Sequence, residues 1–156
     1  MMIFVTVGSV APFDALIERM DGLAGRGAIS DVVCQIGDGK YIPKNTEWFR
    51  FEKGLGERYR EADLVVTHNG AGTLFELLAL GKKAIAVPNP GTVQVDNIDI
   101  VLKLSRDGHI LLCMELDELE EFIRKAPAWE PVPYAPPKCE IPELIAKYLL
   151  RTSKKK

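Results

Sequence analysis

The sequence predicts an α/β protein, a doubly wound parallel sheet of about six strands with helices on both faces. Three observations carry this. Short apolar, β-branched runs recur along the chain (IFVTV, DVVCQI, LVVT, AIAV), the pattern of strands buried on both faces. Stretches with helical spacing of apolar residues alternate with them, and strands and helices of this length in alternation build a parallel sheet. Glycine or proline stands at most of the joints, where turns need them.

In order, residues 2–7 read as the first strand, ending at Gly8. Phe13, Leu16, Ile17 and Met20 then repeat at helical spacing after Pro12, which suits a helix start. Residues 31–36 are a second strand closed by the Gly37-Asp38-Gly39 turn, 47–51 a third, and 55–62 a short helix. The fourth strand, 64–67, runs into the glycine-rich segment 68–72, and a helix is expected over 73–80 with Gly81 as its cap. A fifth strand (84–87), a loop (88–95), a helix (96–105), a sixth strand (110–113) and another helix (117–125) follow. Five prolines between 127 and 137 forbid regular structure and imply a stiff extended connector. Residues 141–150 are a last amphipathic helix and 154–156 a basic tail. The expected organisation is one domain over 1–126, then a connector, helix and tail over 127–156.

Composition narrows the function classes. The 156 residues are 47% hydrophobic and 27% charged, a globular balance rather than a disordered one. A net charge of −2 gives no footprint for nucleic acid, whose binders carry a basic excess. Cys34, Cys113 and Cys139 are odd in number and far apart, which fits a reducing compartment better than a disulfide framework or metal site. The first residues read as a strand rather than a signal peptide. No apolar run approaches the ~18 residues of a spanning helix, so a cytoplasmic protein is expected.

In such sheets ligands bind beyond the carboxyl ends of the strands, which directs attention to the loops after Val7, Thr67 and Val87. The strongest local signal is LVVTHNGAGTLFE at 64–76. Gly70 and Gly72 let the backbone approach a ligand, and the free N–H groups and dipole of the helix start suit a phosphate. A tight turn with no ligand has the same local pattern. The segment is neither a P-loop nor the G-x-G-x-x-G dinucleotide fingerprint, and the missing fingerprint after Val7 disfavours a dehydrogenase. Glu76 reads two ways: as the partner of Thr73 in a capping box, or as an acceptor for paired ribose hydroxyls. His68 is a bystander at a strand end or, by its place beside the loop, a candidate catalytic group. Gly8 and Ser9 offer a second set of N–H groups or make a plain turn. Asp96 and Asn97 open a helix, where Asp is a good N-cap, or face a polyhydroxylated ligand.

At these residues a family becomes recognisable. H-x-G-A-G-T-x-x-E at 68–76, G-K-K-A-I-A-V-P-N at 81–89 and D-N at 96–97 resemble the C-terminal, donor-binding domain of GT-B glycosyltransferases of the family 28 type, a Rossmann-like half-domain. V-T-V-G-S at 5–9, Phe13-Asp14-Ala15-Leu16-Ile17 and Gln35-Ile36-Gly37 look closer to a narrower group. That group is the small catalytic subunit of the two-subunit UDP-N-acetylglucosamine transferase acting on dolichol-linked N-acetylglucosamine, with its bacterial exopolysaccharide counterparts. The match runs from about residue 3 to residue 113.

The resemblance implies a UDP-sugar donor with its diphosphate at Gly8, Ser9, Gly70, Ala71, Gly72 and Thr73, flanked by His68, Asn69 and Asn89. It implies ribose at Glu76, uracil near Phe51 and Glu52, and the sugar facing Asp96 and Asn97. Asp99 stands where the family often has Gln; an amide donates to sugar hydroxyls whereas a carboxylate only accepts, so the donor sugar stays open. It also implies no bound metal and no cofactor, with leaving-group charge met by N–H groups and the helix dipole. The acceptor site, and the general base such a reaction needs, would come from a membrane-associated partner subunit that presents a lipid-linked or polysaccharide acceptor. The helix at 141–150 is then a docking element, or it packs back on its own domain. Two other readings stand beside this one: a module that binds a nucleotide sugar without transferring it, and a relative of the nucleotide-sugar epimerases, against which the length argues.

Overall fold

The computed structural model describes residues 1–7, 11–91, 98–137 and 140–153. Six strands form one sheet: β1 (Ile3–Thr6), β2 (Val32–Gln35), β3 (Glu47–Phe49), β4 (Leu64–His68), β5 (Ala84–Val87) and β6 (Leu111–Leu112). Their order is β3-β2-β1-β4-β5-β6 and every pairing is parallel. The helices are α1 (Asp14–Gly25), α2 (Gly56–Glu61), α3 (Ala71–Ala79), α4 (Ile98–Arg106), α5 (Leu119–Lys125) and α6 (Ile141–Ser153). The chain begins mid-sheet at β1, winds outward to β3, then crosses to β4 and winds outward to β6. Winding therefore reverses between β1 and β4, the crevice where open α/β sheets take their ligands. The expected doubly wound sheet is the one observed.

Alternate residues of each strand face opposite sides, and the two sides bury separate cores. Ile3, Val5, Cys34, Leu64, Val66 and Ile85 pack with Leu16, Ile17 and Met20 of α1 and Leu119 and Ile123 of α5. Phe4, Val33, Val65 and Ala86 pack with Tyr59 of α2, Leu74 and Leu77 of α3, and Val101 and Leu104 of α4. Each such side chain, fully buried, contributes about 1.5–3 kcal/mol. That is why the strand runs read as continuously apolar.

Element boundaries differ from expectation in ways that have causes. β3 stops at Phe49 rather than residue 51: the Ile36 and Gly37 N–H groups still reach the Phe49 and Arg50 carbonyls, and the chain then turns at Gly37, whose φ is +55°. Arg50 then donates to the Gly37 and Gly39 carbonyls at 2.9 and 3.0 Å, drawing the chain toward that turn. The helix expected over 117–125 is a 3-10 turn (Leu116–Glu118) continuing into α5, with another 3-10 turn (Ala126–Ala128) after it. Helix α3 ends as foreseen: Gly81 has φ +63°, its N–H reaches the Leu78 carbonyl, and the Lys82 N–H reaches that of Leu77. This is a Schellman ending, which favours glycine.

The proline connector is pinned to the face that carries α3 and α4. Lys83 Nζ donates to the Pro127 carbonyl and the Glu130 carboxylate at 3.0 and 2.8 Å. The Val132 N–H reaches the Gly108 carbonyl at 2.9 Å, and His109, given no role on sequence, bonds the Val132 carbonyl through Nδ1 at 2.8 Å. Tyr134 packs against Phe75 and His109. Among the described side chains of helix α6, Ile141, Leu144, Ile145 and Tyr148 are all exposed. Among the described residues no helix is long and apolar enough to cross a membrane.

Candidate functional site

At the carboxyl edge, β4 runs through His68 and Asn69 to Gly70, the N-cap of α3. Gly70 has φ −72° and ψ 114°, and no side chain caps the helix. The first intrahelical bond from this end is Leu74 N–H to the Gly70 carbonyl at 3.1 Å. The N–H groups of Ala71, Gly72 and Thr73 thus have no helical acceptor, as at any helix start, and they gather at the positive end of the dipole. Space beside Gly72 is open, with nothing within 4 Å of where a Cβ would stand. An anion of phosphate size fits these donors.

Gly70 is needed here for room rather than for its backbone angles. A Cβ on it would stand 2.5 Å from His68 Nε2 and 2.7 Å from Cε1, so the ring lies against the bare backbone. Burial holds the His68 pKa below its ordinary 6.5, with the Thr6 backbone opposing. A neutral imidazole beside an anion site offers one donor and one acceptor rather than a charge.

The capping-box reading of Glu76 fails. Helix α3 begins at Ala71, so Thr73 is its third residue, not its cap. The Thr73 hydroxyl bonds the buried Tyr59 of α2 instead. Burial, foremost, raises the Tyr59 pKa, the Thr73 bond lowers it, and nearby Glu76 raises it further. The Glu76 carboxylate is exposed, one turn along the helix from the free N–H groups.

Asn69 and Asn89 are buried and belong to one clasp. The Asn89 N–H donates to Asn69 Oδ1 at 3.3 Å, Asn89 Nδ2 to the Pro12 carbonyl at 3.1 Å, and the Gly91 N–H to Asn89 Oδ1 at 3.0 Å. The loops after β1, β4 and β5 are held together this way. Nothing in local spacing announces a bond across 77 residues. Beneath them Thr6 donates to Gln35 Oε1 at 2.6 Å, and Thr67 stands opposite Thr6 in register. All three are buried, and Thr67 Oγ1 has no hydrogen-bond partner among the described residues.

Phe51 and Glu52 lie past β3, lining a hollow of about 290 Å³ with Val33, Trp48, Phe49 and Arg58. Arg58 donates to Glu52 at 2.9 Å and stacks 5.3 Å from the Phe49 ring centre. Such a hollow has aromatic walls and a charged rim, suited to a planar polar group. Asp99 is exposed on the first turn of α4. Gly8, Ser9, Asp96 and Asn97 lie outside the described residues. The edge therefore brings together His68, Gly70, Ala71, Gly72, Thr73 and Glu76, while Asn69 and Asn89 hold its loops.

A family model, the glycosyltransferase family 28 C-terminal domain, matches residues 2–126. The mouse UDP-N-acetylglucosamine transferase subunit ALG13 is 33% identical over 123 residues, covering 70% of this chain and 10% of that protein. The chain thus spans about a tenth of the length of this relative. Among solved structures, MurG of Acinetobacter baumannii superposes with a TM-score of 0.63 at 22% identity, covering 80% of this chain and 40% of that one. An NMR structure of ALG13 superposes with 0.61 at 19% identity, covering 85% and 89%. At these identities the two structures speak for the fold.

Proposed function

Because the chain belongs to the family of the glycosyltransferase family 28 C-terminal domain, we propose that it is the donor-binding part of an inverting glycosyltransferase that takes a UDP-sugar. The observation that carries this reading is the uncapped start of α3 beside the crevice between β1 and β4, with the Glu76 carboxylate one turn away. The donor diphosphate lies on the N–H groups of Ala71, Gly72 and Thr73, together with Gly8 and Ser9. Ribose hydroxyls donate to Glu76. Uracil occupies the hollow at Phe51 and Glu52. Asp96, Asn97 and Asp99 face the sugar, which by the mouse relative's name is N-acetylglucosamine.

Catalysis on this reading is electrostatic. As the bond from sugar to diphosphate breaks, negative charge grows on the leaving oxygen, and fixed N–H dipoles stabilise it without reorganising. No metal or cofactor is assigned. Neutral His68 sits close enough to the helix start to donate to the same charge. The acceptor site and the general base come from a partner subunit presenting a lipid-linked or polysaccharide acceptor, and the protein works in the cytoplasm.

The test is calorimetric titration with UDP, UDP-N-acetylglucosamine, UDP-glucose, NAD and ATP without added metal. Selective binding of the uridine ligands is expected. Glu76→Gln should weaken UDP binding by about 1–3 kcal/mol, the range for a lost charged hydrogen bond. Unchanged affinity in a folded Glu76→Gln protein sinks the ribose assignment, and NAD or ATP binding more tightly than UDP sinks the donor assignment.

A further inference from the structure

Helix α6 carries an apolar stripe that its own domain leaves uncovered. Ile141, Leu144, Ile145 and Tyr148 recur at i, i+3, i+4 and i+7 and are 61%, 60%, 54% and 68% exposed. The charge around that stripe is unlike that of the rest of the molecule. Residues 141–156 contain one acid, Glu143, and five bases, Lys147, Arg151, Lys154, Lys155 and Lys156. Their net charge is +4, whereas the whole chain carries −2, so residues 1–140 carry −6.

We propose that α6 is a lipid-surface anchor: it lies flat on an anionic bilayer with this stripe in the acyl boundary and its bases on the headgroups. An apolar stripe with bases close by in sequence fits an interfacial helix, and a basic run beside such a helix draws it to acidic lipids. At 13 residues the helix is too short to span a bilayer. Charge also selects this occupant over a second copy of the helix. Pairing two α6 stripes would set +4 against +4, whereas an anionic surface complements that charge and repels the acidic body.

The connector that precedes α6 is held to the domain. It is tied down at Lys83, at Gly108 and His109, and last at Phe75 of α3, the neighbour of Glu76. The last described tie before α6 is therefore on α3, whose first turn forms the candidate site. The inference stands on α6 alone, whether or not the site takes a UDP-sugar.

The experiment is co-sedimentation of the full chain with phosphatidylcholine vesicles, alone or with about a third phosphatidylglycerol. Binding is expected on the anionic vesicles and not on the neutral ones, and it should fall when salt rises from about 0.1 M to about 0.5 M. Ile145→Glu should cut the bound fraction about tenfold or more with melting temperature unchanged, since that side chain is exposed. Replacing Lys154, Lys155 and Lys156 together with Gln should weaken binding by a smaller factor. Three results would overturn the proposal: no sedimentation above the vesicle-free blank, which would leave the stripe to the partner subunit, an Ile145→Glu protein that binds as well as the parent, or a dimer by analytical ultracentrifugation that Ile145→Glu makes monomeric. The last would assign the stripe to a second copy.

Discussion

Two polar regions at opposite ends of the sheet are built on different rules. Near the amino end of β3, Asp21 of α1 is 1% exposed and holds the chain that leads into that strand. Its oxygens accept from the Lys44 and Asn45 N–H groups at 3.0 and 2.7 Å, from the Tyr41 hydroxyl at 2.8 Å, and from Asn45 Nδ2 at 3.1 Å. Every contact there is a donor meeting an acceptor. At the carboxyl edge, three N–H groups of α3 have no helical acceptor, and the buried Thr67 hydroxyl has no partner among the described residues. A fully paired buried network stabilises a fold, whereas unpaired groups cost stability and leave capacity for a ligand. At one end the polar groups are all engaged in holding the fold; at the other, only part of them are.

The sharpest way to break the comparison is at Asp21, where the largest effect is expected. Asp21→Ala removes the shared acceptor and strands the Tyr41 hydroxyl and two backbone N–H groups, which should cost about 3 kcal/mol or more. Urea unfolding measures this, and a loss below about 1 kcal/mol would mean that the clasp contributes little. The pH dependence has a definite sign. Burial opposes ionisation of Asp21 most strongly, yet the bonds from Asn45, Lys44 and Tyr41 outweigh it and hold the pKa below 3.8. A depressed carboxylate stabilises the fold above its unfolded-state pKa and loses that contribution as pH falls through the folded value. Stability of the parent should therefore drop as pH falls below about 4, more steeply than that of Asp21→Asn. The Tyr41 hydroxyl, pushed up to about 12 chiefly by its bond to Asp21, should return toward its ordinary range in the same variant.

A change at the carboxyl edge should show the opposite profile. In Gly70→Ala the new methyl collides with the His68 ring, while the φ of −72° suits alanine. The ring is half-buried at the strand end, and turning it outward would relieve the collision. Stability should change by less than about 1 kcal/mol, while UDP affinity falls about tenfold, roughly 1.4 kcal/mol. In a His68→Ala background the same Gly70→Ala change should have little further effect, because the collision is gone. A double-mutant cycle by calorimetry reads this coupling. Additive effects would show that the ring and the loop act independently.

The contrast between the two ends also explains what could be read from the chain. The strands were legible because they are buried on both faces, so IFV, LVV and AIAV are apolar without interruption. The turn at Gly81 was legible because a left-handed residue there favours glycine. The start of α3 was not. Its cap is Gly70, which has no side chain to signal the boundary, and Thr73 with Glu76 imitates a capping box three residues too late. The glycine-rich loop marked the open start of α3, but not that Asn69 and Asn89, which look like ligand groups by position, also hold loops together. Asp21 was missed altogether. It follows Met20 on an amphipathic helix, where an acid reads as solvent-facing, and its partners at 41–46 come from a segment with no periodic signal. Local pattern reports burial and backbone geometry, whereas pairing between distant loops is set by topology.

The smallest expected effect sharpens the comparison most finely. Thr67 and valine share a branched shape, and Thr67 sits within β4 with its side chain wholly buried. If its hydroxyl lacks a partner in the free protein, it costs about 1–3 kcal/mol of desolvation. Thr67→Val should then stabilise the unliganded chain by up to about 1 kcal/mol, since an apolar group of the same shape removes that cost. A destabilisation of that size would instead mean that the hydroxyl is paired in solution and that the carboxyl edge is as fully satisfied as the Asp21 clasp. The same variant, titrated with UDP, separates two uses of the row formed by Gln35, Thr6 and Thr67. If the hydroxyl only fills space, affinity is unchanged and the stability gain persists at saturating ligand. If it supports the loop when the helix start is occupied, affinity falls, and the gain shrinks by the same free energy because binding and stability are linked.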